Sequence, residues 1–264
     1  MLRDKKRTGQ FHGDYQGRVD SSTCMKSDRL FAEPLASVSD FQFDARVADV
    51  FTDMIRRSVP GYSELLPLLS VLGGEYARPQ TFCYDLGCSL GAASLALASR
   101  LPPDCRILAV DNAPAMIQAC REQLARAGFA ERIETRCADI RDVAITNASV
   151  VMLNFTLQFI PLAERLPLLQ RIRAGMVDDG VLILSEKLAF AAPAEQQWHE
   201  RMHAAFKRAN GYSDLEISQK RAALERVLLP ETLDAHRQRL EVAGFTQVWS
   251  WFQNLNFVSL VALP

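Results

Sequence analysis

Apolar residues recur along the chain in two periods, and the alternation between them outlines an α/β protein. Val47, Val50, Phe51, Met54 and Ile55 fall at i, i+3, i+4, i+7 and i+8, the spacing of one helix face. Asp44 stands where an N-cap is needed and Pro60 where the helix must close. A second helix is predicted from Tyr62 through Leu72, ending near Gly73-Gly74. The pattern then shortens. Thr81 to Tyr84, Arg106 to Val110, Ile133 to Cys137, Ser149 to Leu153 and Val181 to Ser185 read as strands. Ser149 to Leu153 is apolar enough for a strand buried on both faces of a parallel sheet. Between the strands lie helices over Ala92 to Ala98, Ala115 to Ala127 (stopped by Gly128) and Leu162 to Met176, with a turn at Asp179-Gly180. A helical stretch from about Glu195 to Gly244 is too long for a simple connection, so it is expected to cover a site or form an interface. Gln247 to Phe252 and Asn256 to Ala262 close the chain as an antiparallel hairpin. Five βα units and a hairpin predict a doubly wound, mostly parallel seven-stranded sheet.

Residues 1–38 lack periodicity and are expected to form a flexible N-terminal tail, within which Met25 offers an alternative start. Residues 39–264 are expected to form one α/β domain, with its helical cover over about 190–244. Met1 to Asp20 is polar, without the apolar core of a secretory signal, and no apolar run reaches the roughly 18 residues of a membrane span. The expected location is the cytoplasm, with no membrane partner. Lys and Arg number 30 against 31 Asp and Glu, a formal net charge of −1. No strong direct nucleic-acid binding is therefore expected, because phosphate-gripping proteins carry a basic excess. The six cysteines, Cys24, Cys83, Cys88, Cys105, Cys120 and Cys137, form no C-x-x-C pair and read as reduced structural thiols.

The stretch Asp85-Leu86-Gly87-Cys88-Ser89-Leu90-Gly91 carries the first chemical signal. Strand, tight glycine turn and helix start are the setting in which a nucleotide or its analogue is received. Ser89 and Ala92 stand where a dinucleotide fingerprint needs glycine, and no G-K-[ST] follows. Asp85 at the strand end would repel a pyrophosphate and suits an ammonium or a sugar hydroxyl. The pattern favours S-adenosylmethionine, against the alternative of a plain tight turn. Asp111, with Asn112 after it, ends the second strand where a ribose is bound in such folds; its alternative role is to cap the next helix. Asp139 can accept from an adenine amine while Ile140 packs on the ring. Asn154 stands at the end of the fourth strand, with Phe155 and Phe159 as walls. Tyr62, following Pro60-Gly61, is placed to reach the site, or packs on the core. His199 and His203, at i and i+4, have the spacing of two metal ligands, but no third ligand accompanies them, and no metal is expected. Read from the residues alone, Arg221 is an exposed helical charge paired with Glu225.

From about Leu30 to Leu263 the chain closely resembles the carboxy-S-adenosyl-L-methionine synthase family of the class I methyltransferase-like (Rossmann-like) superfamily. The resemblance rests on Arg57-Ser58-Val59-Pro60-Gly61-Tyr62-Ser63, the glycine turn, Leu153 to Phe159 and Leu184-Ser185-Glu186-Lys187. It rests equally on Phe206 to Ser213 and on Glu216-Ile217-Ser218-Gln219-Lys220-Arg221. It implies an enzyme that converts S-adenosyl-L-methionine and prephenate to carboxy-S-adenosyl-L-methionine and phenylpyruvate. The product would serve a tRNA carboxymethyltransferase that acts on 5-hydroxyuridine at the wobble position. Tyr62, Gly87, Cys88, Ser89, Asp111, Asn112, Asp139, Ile140, Asn154 and Arg221 would contact the nucleoside. Arg221 would hold the new carboxylate, with Tyr212 beside it, and the chain would act as a homodimer. No residue stands out as a general base; the hydroxyl leaving prephenate would take the proton. An ordinary S-adenosylmethionine-dependent methyltransferase, and a non-catalytic S-adenosylmethionine-binding subunit of a tRNA-modifying complex, remain the alternatives.

Overall fold

The structure is a computed structural model that describes residues 26–264. The expectations for residues 1–25, Cys24 and Met25 among them, lie outside the described residues. Two helices come first, α1 (Ala45–Ser58) and α2 (Tyr62–Tyr76). There follow β1 (Phe82–Leu86), α3 (Ala92–Ala98), β2 (Arg106–Asp111), α4 (Pro114–Ala127), β3 (Ile133–Cys137) and β4 (Ala148–Asn154). A 3₁₀ turn at Leu157–Phe159 leads to α5 (Leu162–Gly175) and β5 (Met176–Lys187). Three helices, α6 (Pro193–Ala209), α7 (Asp214–Leu224) and α8 (Leu233–Val242), precede β6 (Gln247–Asn254) and β7 (Phe257–Leu263).

The seven strands form one sheet in the order β3-β2-β1-β4-β5-β7-β6. The first five are parallel, β7 runs antiparallel to β5, and β6 pairs antiparallel with β7. Alternating strand residues feed two cores. Tyr84, Val110, Leu153 and Leu184 pack with Leu168, Ile172 and Leu240 of α5 and α8. Cys83, Ile107, Met152 and Ile183 pack on the other face with Leu69, Leu97, Ile117 and Cys120 of α2, α3 and α4. A third cluster joins Val47, Val50 and Met54 of α1 to Leu90 and Met116. Helix α1 starts as its pattern predicts, with the Asp44 carboxylate accepting from the Val47 amide at 3.0 Å. Gly128 ends α4 in the left-handed conformation.

Three local readings differ from the structure. Helix α2 runs through Gly73-Gly74 to Tyr76. A Cβ on Gly73 would stand 2.9 Å from Leu97, so this glycine admits α3 rather than stopping α2. Strand β5 begins at Met176 and takes in Asp179-Gly180, with a register shift against β4 between Ala148 and Val150. Residues 26–38, placed in the tail, form no helix or strand but lie against the helical cover. Asp28 is buried, the Leu35 amide donates to Gln219 Oε1 at 2.7 Å, and Gln219 Nε2 donates to the carbonyls of Phe31 and Glu33.

Arg165 of α5 ties the loop after β4 to the segment before α8. Its fully buried guanidinium pairs with Glu231 and donates to the carbonyls of Gln158, Ile160 and Leu229. Arg165→Met would leave those carbonyls without a donor. It is expected to lower the unfolding free energy by roughly 3–5 kcal/mol, as for other broken buried pairs, read as a lower urea midpoint.

Candidate functional site

The sheet order reverses between β1 and β4, and the loops leaving their carboxyl ends diverge there. That is where open α/β sheets receive ligands. A cavity of about 430 Å³ occupies the place. Gly87, Cys88 and Ser89 reach it from the β1 turn, Asp111 and Asn112 from β2, Asp139 and Ile140 from beyond β3. Asn154 comes from β4 and Tyr62 from the start of α2. Gly87 adopts φ +86°, and a Cβ there would lie 2.3 Å from Thr156 Oγ1. Gly91, at φ +81°, clears Cys120 of α4, whose Sγ would stand 2.7 Å from a Cβ.

The carboxylates differ in their commitments. Asp111 accepts from the Ser89 amide through one oxygen and from the Ala113 amide through the other, each at 2.9 Å. It thus braces the glycine turn and the approach to α4 while facing the cavity, but it does not cap α4, whose N-cap is Ala113 without a side-chain bond; burial pushes the Asp111 carboxyl up. Asp85 accepts from the Ser94 amide and hydroxyl at 3.1 and 2.6 Å, and burial raises its pKa to about 6. Asp139 is held low chiefly by hydrogen bonds from Arg141, whose guanidinium engages both of its oxygens. Asn154 Oδ1 is buried without a hydrogen-bond partner among the described residues. A buried acceptor in that state is open to a donor from water or a ligand. Burial pushes the Tyr62 phenol up, and its ring lies 6.4 Å from that of Phe155.

Two expected residues lie off the cavity wall. Arg221 is exposed and pairs with Glu200 of α6 at 2.9 Å, not with Glu225. The Tyr212 hydroxyl donates to Asp28 at 2.5 Å, and Arg57 sits 3.9 Å above its ring. His199 stacks on Phe190 at 3.9 Å, whereas His203 meets the Ser58 carbonyl at 2.8 Å, so the two rings serve different neighbours. No group of three or more metal-binding side chains occurs among the described residues.

Several cavity residues were not read from the sequence as parts of a site. Phe41, Phe43 and Phe51 complete an aromatic wall with Phe159, Phe43 lying 5.4 Å from it ring to ring. Lys187, Lys207 and Lys220 line the end nearest β5 and the helical cover. The signal that could have found Lys207 and Lys220 is their place inside the two motifs Phe206 to Ser213 and Glu216 to Arg221.

Asp85 is neutral below its pKa of about 6, so affinity for an ammonium-bearing ligand is expected to rise with pH up to that value and then level off. Calorimetry with S-adenosylhomocysteine between pH 5 and 8 should show roughly a tenfold change per unit below pH 6. Asp85→Asn should flatten the profile.

Residues 84–180 match a family described as a methyltransferase domain. Solved structures of similar fold include an O-methyltransferase family protein from Burkholderia thailandensis (TM-score 0.58, 18% identity, 84% of this chain and 60% of that one). Human N-acetylserotonin methyltransferase, in complex with SAM, is another (TM-score 0.56, 15% identity, 83% of this chain and 55% of that one). These likenesses concern the fold. Much nearer are carboxy-S-adenosyl-L-methionine synthases. That of Geobacter metallireducens is 59% identical over 240 residues, covering 90% of this chain and 98% of the relative. That of Marinobacter nauticus is 54% identical, covering 90% and 95%. Identity at this level across nine-tenths of the chain, with the cavity at the sheet's switch point, places the protein in the carboxy-S-adenosyl-L-methionine synthase family.

Proposed function

We propose that the cavity takes S-adenosyl-L-methionine and prephenate and yields carboxy-S-adenosyl-L-methionine and phenylpyruvate. Prephenate loses its ring carboxylate as carbon dioxide and its hydroxyl as hydroxide. The sulfonium methyl gives up a proton, which the hydroxide takes to form water. The resulting ylide carbon attacks the carbon dioxide, forming the new C–C bond. Asp111 binds the ribose hydroxyls, Ile140 packs on the adenine with Asp139 beside it, and Asn154 Oδ1 accepts from the ligand's ammonium. Gly87, Cys88, Ser89, Asn112 and Tyr62 complete the nucleoside contacts.

The observation that carries this reading is the cationic end of the cavity. A methyl donor's sulfonium is itself a cation, and an ordinary methyltransferase has no need of ammonium and guanidinium groups near it. A carboxylate on the transferred carbon reverses the sign and makes such groups favourable. Arg221 is the guanidinium we assign to that carboxylate, with Tyr212 positioned through Asp28. Its pairing with Glu200 is an exposed one, of a kind worth about 0–1 kcal/mol, and is readily exchanged for a carboxylated ligand in its own subunit or in a neighbouring one. The chain acts as a cytoplasmic homodimer on this reading, and its product passes to a tRNA carboxymethyltransferase that completes the wobble-uridine modification. The chain itself needs no strong hold on nucleic acid. No helix among the described residues is long and apolar enough to cross a membrane.

Incubation with S-adenosyl-L-methionine, with and without prephenate, followed by mass spectrometry of the nucleoside, tests the reaction. A carboxylated sulfonium that requires prephenate is the expected product. Methyl transfer to another acceptor would identify an ordinary methyltransferase, and bound ligand without turnover a non-catalytic subunit. Arg221→Ala is expected to cut carboxylated product by about thirtyfold or more, the scale of a charge-assisted contact of about 2 kcal/mol. Affinity for S-adenosyl-L-methionine should survive; equal loss of both would give the arginine a structural role.

A further inference from the structure

Three ammonium groups converge on one end of the cavity. Lys187 leaves the carboxyl end of β5, Lys207 lies in the last turn of α6, and Lys220 lies on α7. Lys220 is answered: its Nζ donates to Ser58 Oγ at 3.1 Å and stands 3.4 Å from the Asp28 carboxylate. Arg221, just outside, is answered by Glu200. Lys187 and Lys207 form no ion pair among the described residues, and Lys207 is only 9% exposed. An ammonium has three donors and no acceptor, and burying one without a partner is unfavourable. Burial and then the neighbouring cations pull Lys207 down to about 7, and burial and Arg221 lower Lys187.

Most of the remaining wall at this end is apolar; the polar exceptions are Ser58, taken by Lys220, and His203, whose Nε2 meets the Ser58 carbonyl. Phe257 lies 5.8 Å from Phe155, ring to ring, and Leu224 and Leu228 close the side toward α7. Donors with no acceptor, set beside apolar surface, call for an anion with an apolar body. The methionine carboxylate of the nucleoside ligand is the competing occupant, since Asn154, assigned to its ammonium, pairs in register with Ser185 of the neighbouring strand β5, two residues before Lys187. An affinity for S-adenosyl-L-methionine that survives loss of the lysines separates the two.

We propose that Lys187 and Lys207 form the subsite that holds the dicarboxylate substrate, one small dianionic acid gripped through its carboxylates with its ring against Phe155 and Phe257. The assignment rests on the reaction proposed above and adds where its second substrate sits. These two lysines are substrate-binding groups, distinct from Arg221, which is assigned to the product's new carboxylate.

Lys187→Met, Lys207→Met and Lys207→Arg test it. Prephenate binding is measured by calorimetry on protein saturated with S-adenosylhomocysteine, beside KM, kcat and affinity for S-adenosyl-L-methionine. Each methionine variant is expected to weaken prephenate binding and raise its KM by about tenfold or more, the scale of a lost charge-assisted contact. Affinity for S-adenosyl-L-methionine should stay within about twofold, and Lys207→Arg should recover part of the loss. The melting temperature of Lys207→Met should hold or rise, since an unpaired buried cation is removed. Unchanged prephenate binding in both methionine variants, or loss of affinity for both ligands in step, overturns the subsite. Lysine-dependent prephenate binding in a protein that makes no carboxylated product would overturn the reaction and leave the subsite standing.

Discussion

The site depends on one close approach, that of Gly87 to Thr156. The turn after β1 and the loop after β4 pass so near that a methyl group at position 87 would overlap the threonine side chain. Each loop is also held in a sparsely populated conformation, Ser89 at φ +50° and Phe155 at φ +60°. Non-glycine residues in that region cost energy and persist only where surroundings over-determine them. Here the amides of Gly87 and Cys88 both donate to the Val110 carbonyl, at 2.8 and 2.9 Å, and the Ser89 amide donates to Asp111. The glycine turn is therefore hung from β2 rather than self-supporting. Asp111 shapes the turn as well as facing the cavity, and its helix-cap reading does not hold, because Ala113 is the N-cap of α4.

The charges in the cavity are sorted along the sheet. Asp111 and Asp139 lie toward β2 and β3, the three lysines toward β5 and the helical cover. The counterion for one lysine comes from outside the sheet altogether. Asp28 is buried at 1% exposure, accepts from Tyr212 and meets Lys220, while its amide donates to Asp53 and its carbonyl accepts from Arg57. A segment without regular structure thus closes the electrostatics of the cationic end, and α1 and α7 are joined through it.

What could be read in the sequence divides along physical lines. Strands announced themselves as short apolar runs, and the polar residues ending them, Asp85, Asp111 and Asn154, were visible because a strand's carboxyl end is where apolar patterning stops. Phe41 and Phe43 were not legible, because a segment that packs without secondary structure has no period to detect. Gly73-Gly74 misled, since a glycine pair resembles a helix stop when its actual neighbour, Leu97, is distant in sequence. Lys207 and Lys220 were not legible for a different reason. A charge on an amphipathic helix is normally solvated, and nothing local says that another helix and residue 28 bury it. For Arg221 the residue-level reading of an exposed, acid-paired charge describes the single chain correctly in kind, with Glu200 as the partner. Its functional assignment came from the family resemblance alone.

In the proposed reaction the cationic end must meet two opposite demands. Before the reaction the nucleoside carries a sulfonium, a cation that stays charged at any ordinary pH. Three fully charged lysines beside it would oppose binding, the more so out of water. Afterwards the same ligand carries a carboxylate that wants positive partners. Crowded, buried lysines reconcile the two. With burial and neighbouring cations pulling its pKa to about 7, Lys207 releases its proton far more readily than an exposed lysine, and Lys220, at about 8, is offset by Asp28. An arriving dianion favours the protonated forms and restores full charge where it binds. The burial and, after it, the repulsion that lower these ammonium groups thus limit their effect on the sulfonium until a carboxylate is present to be held.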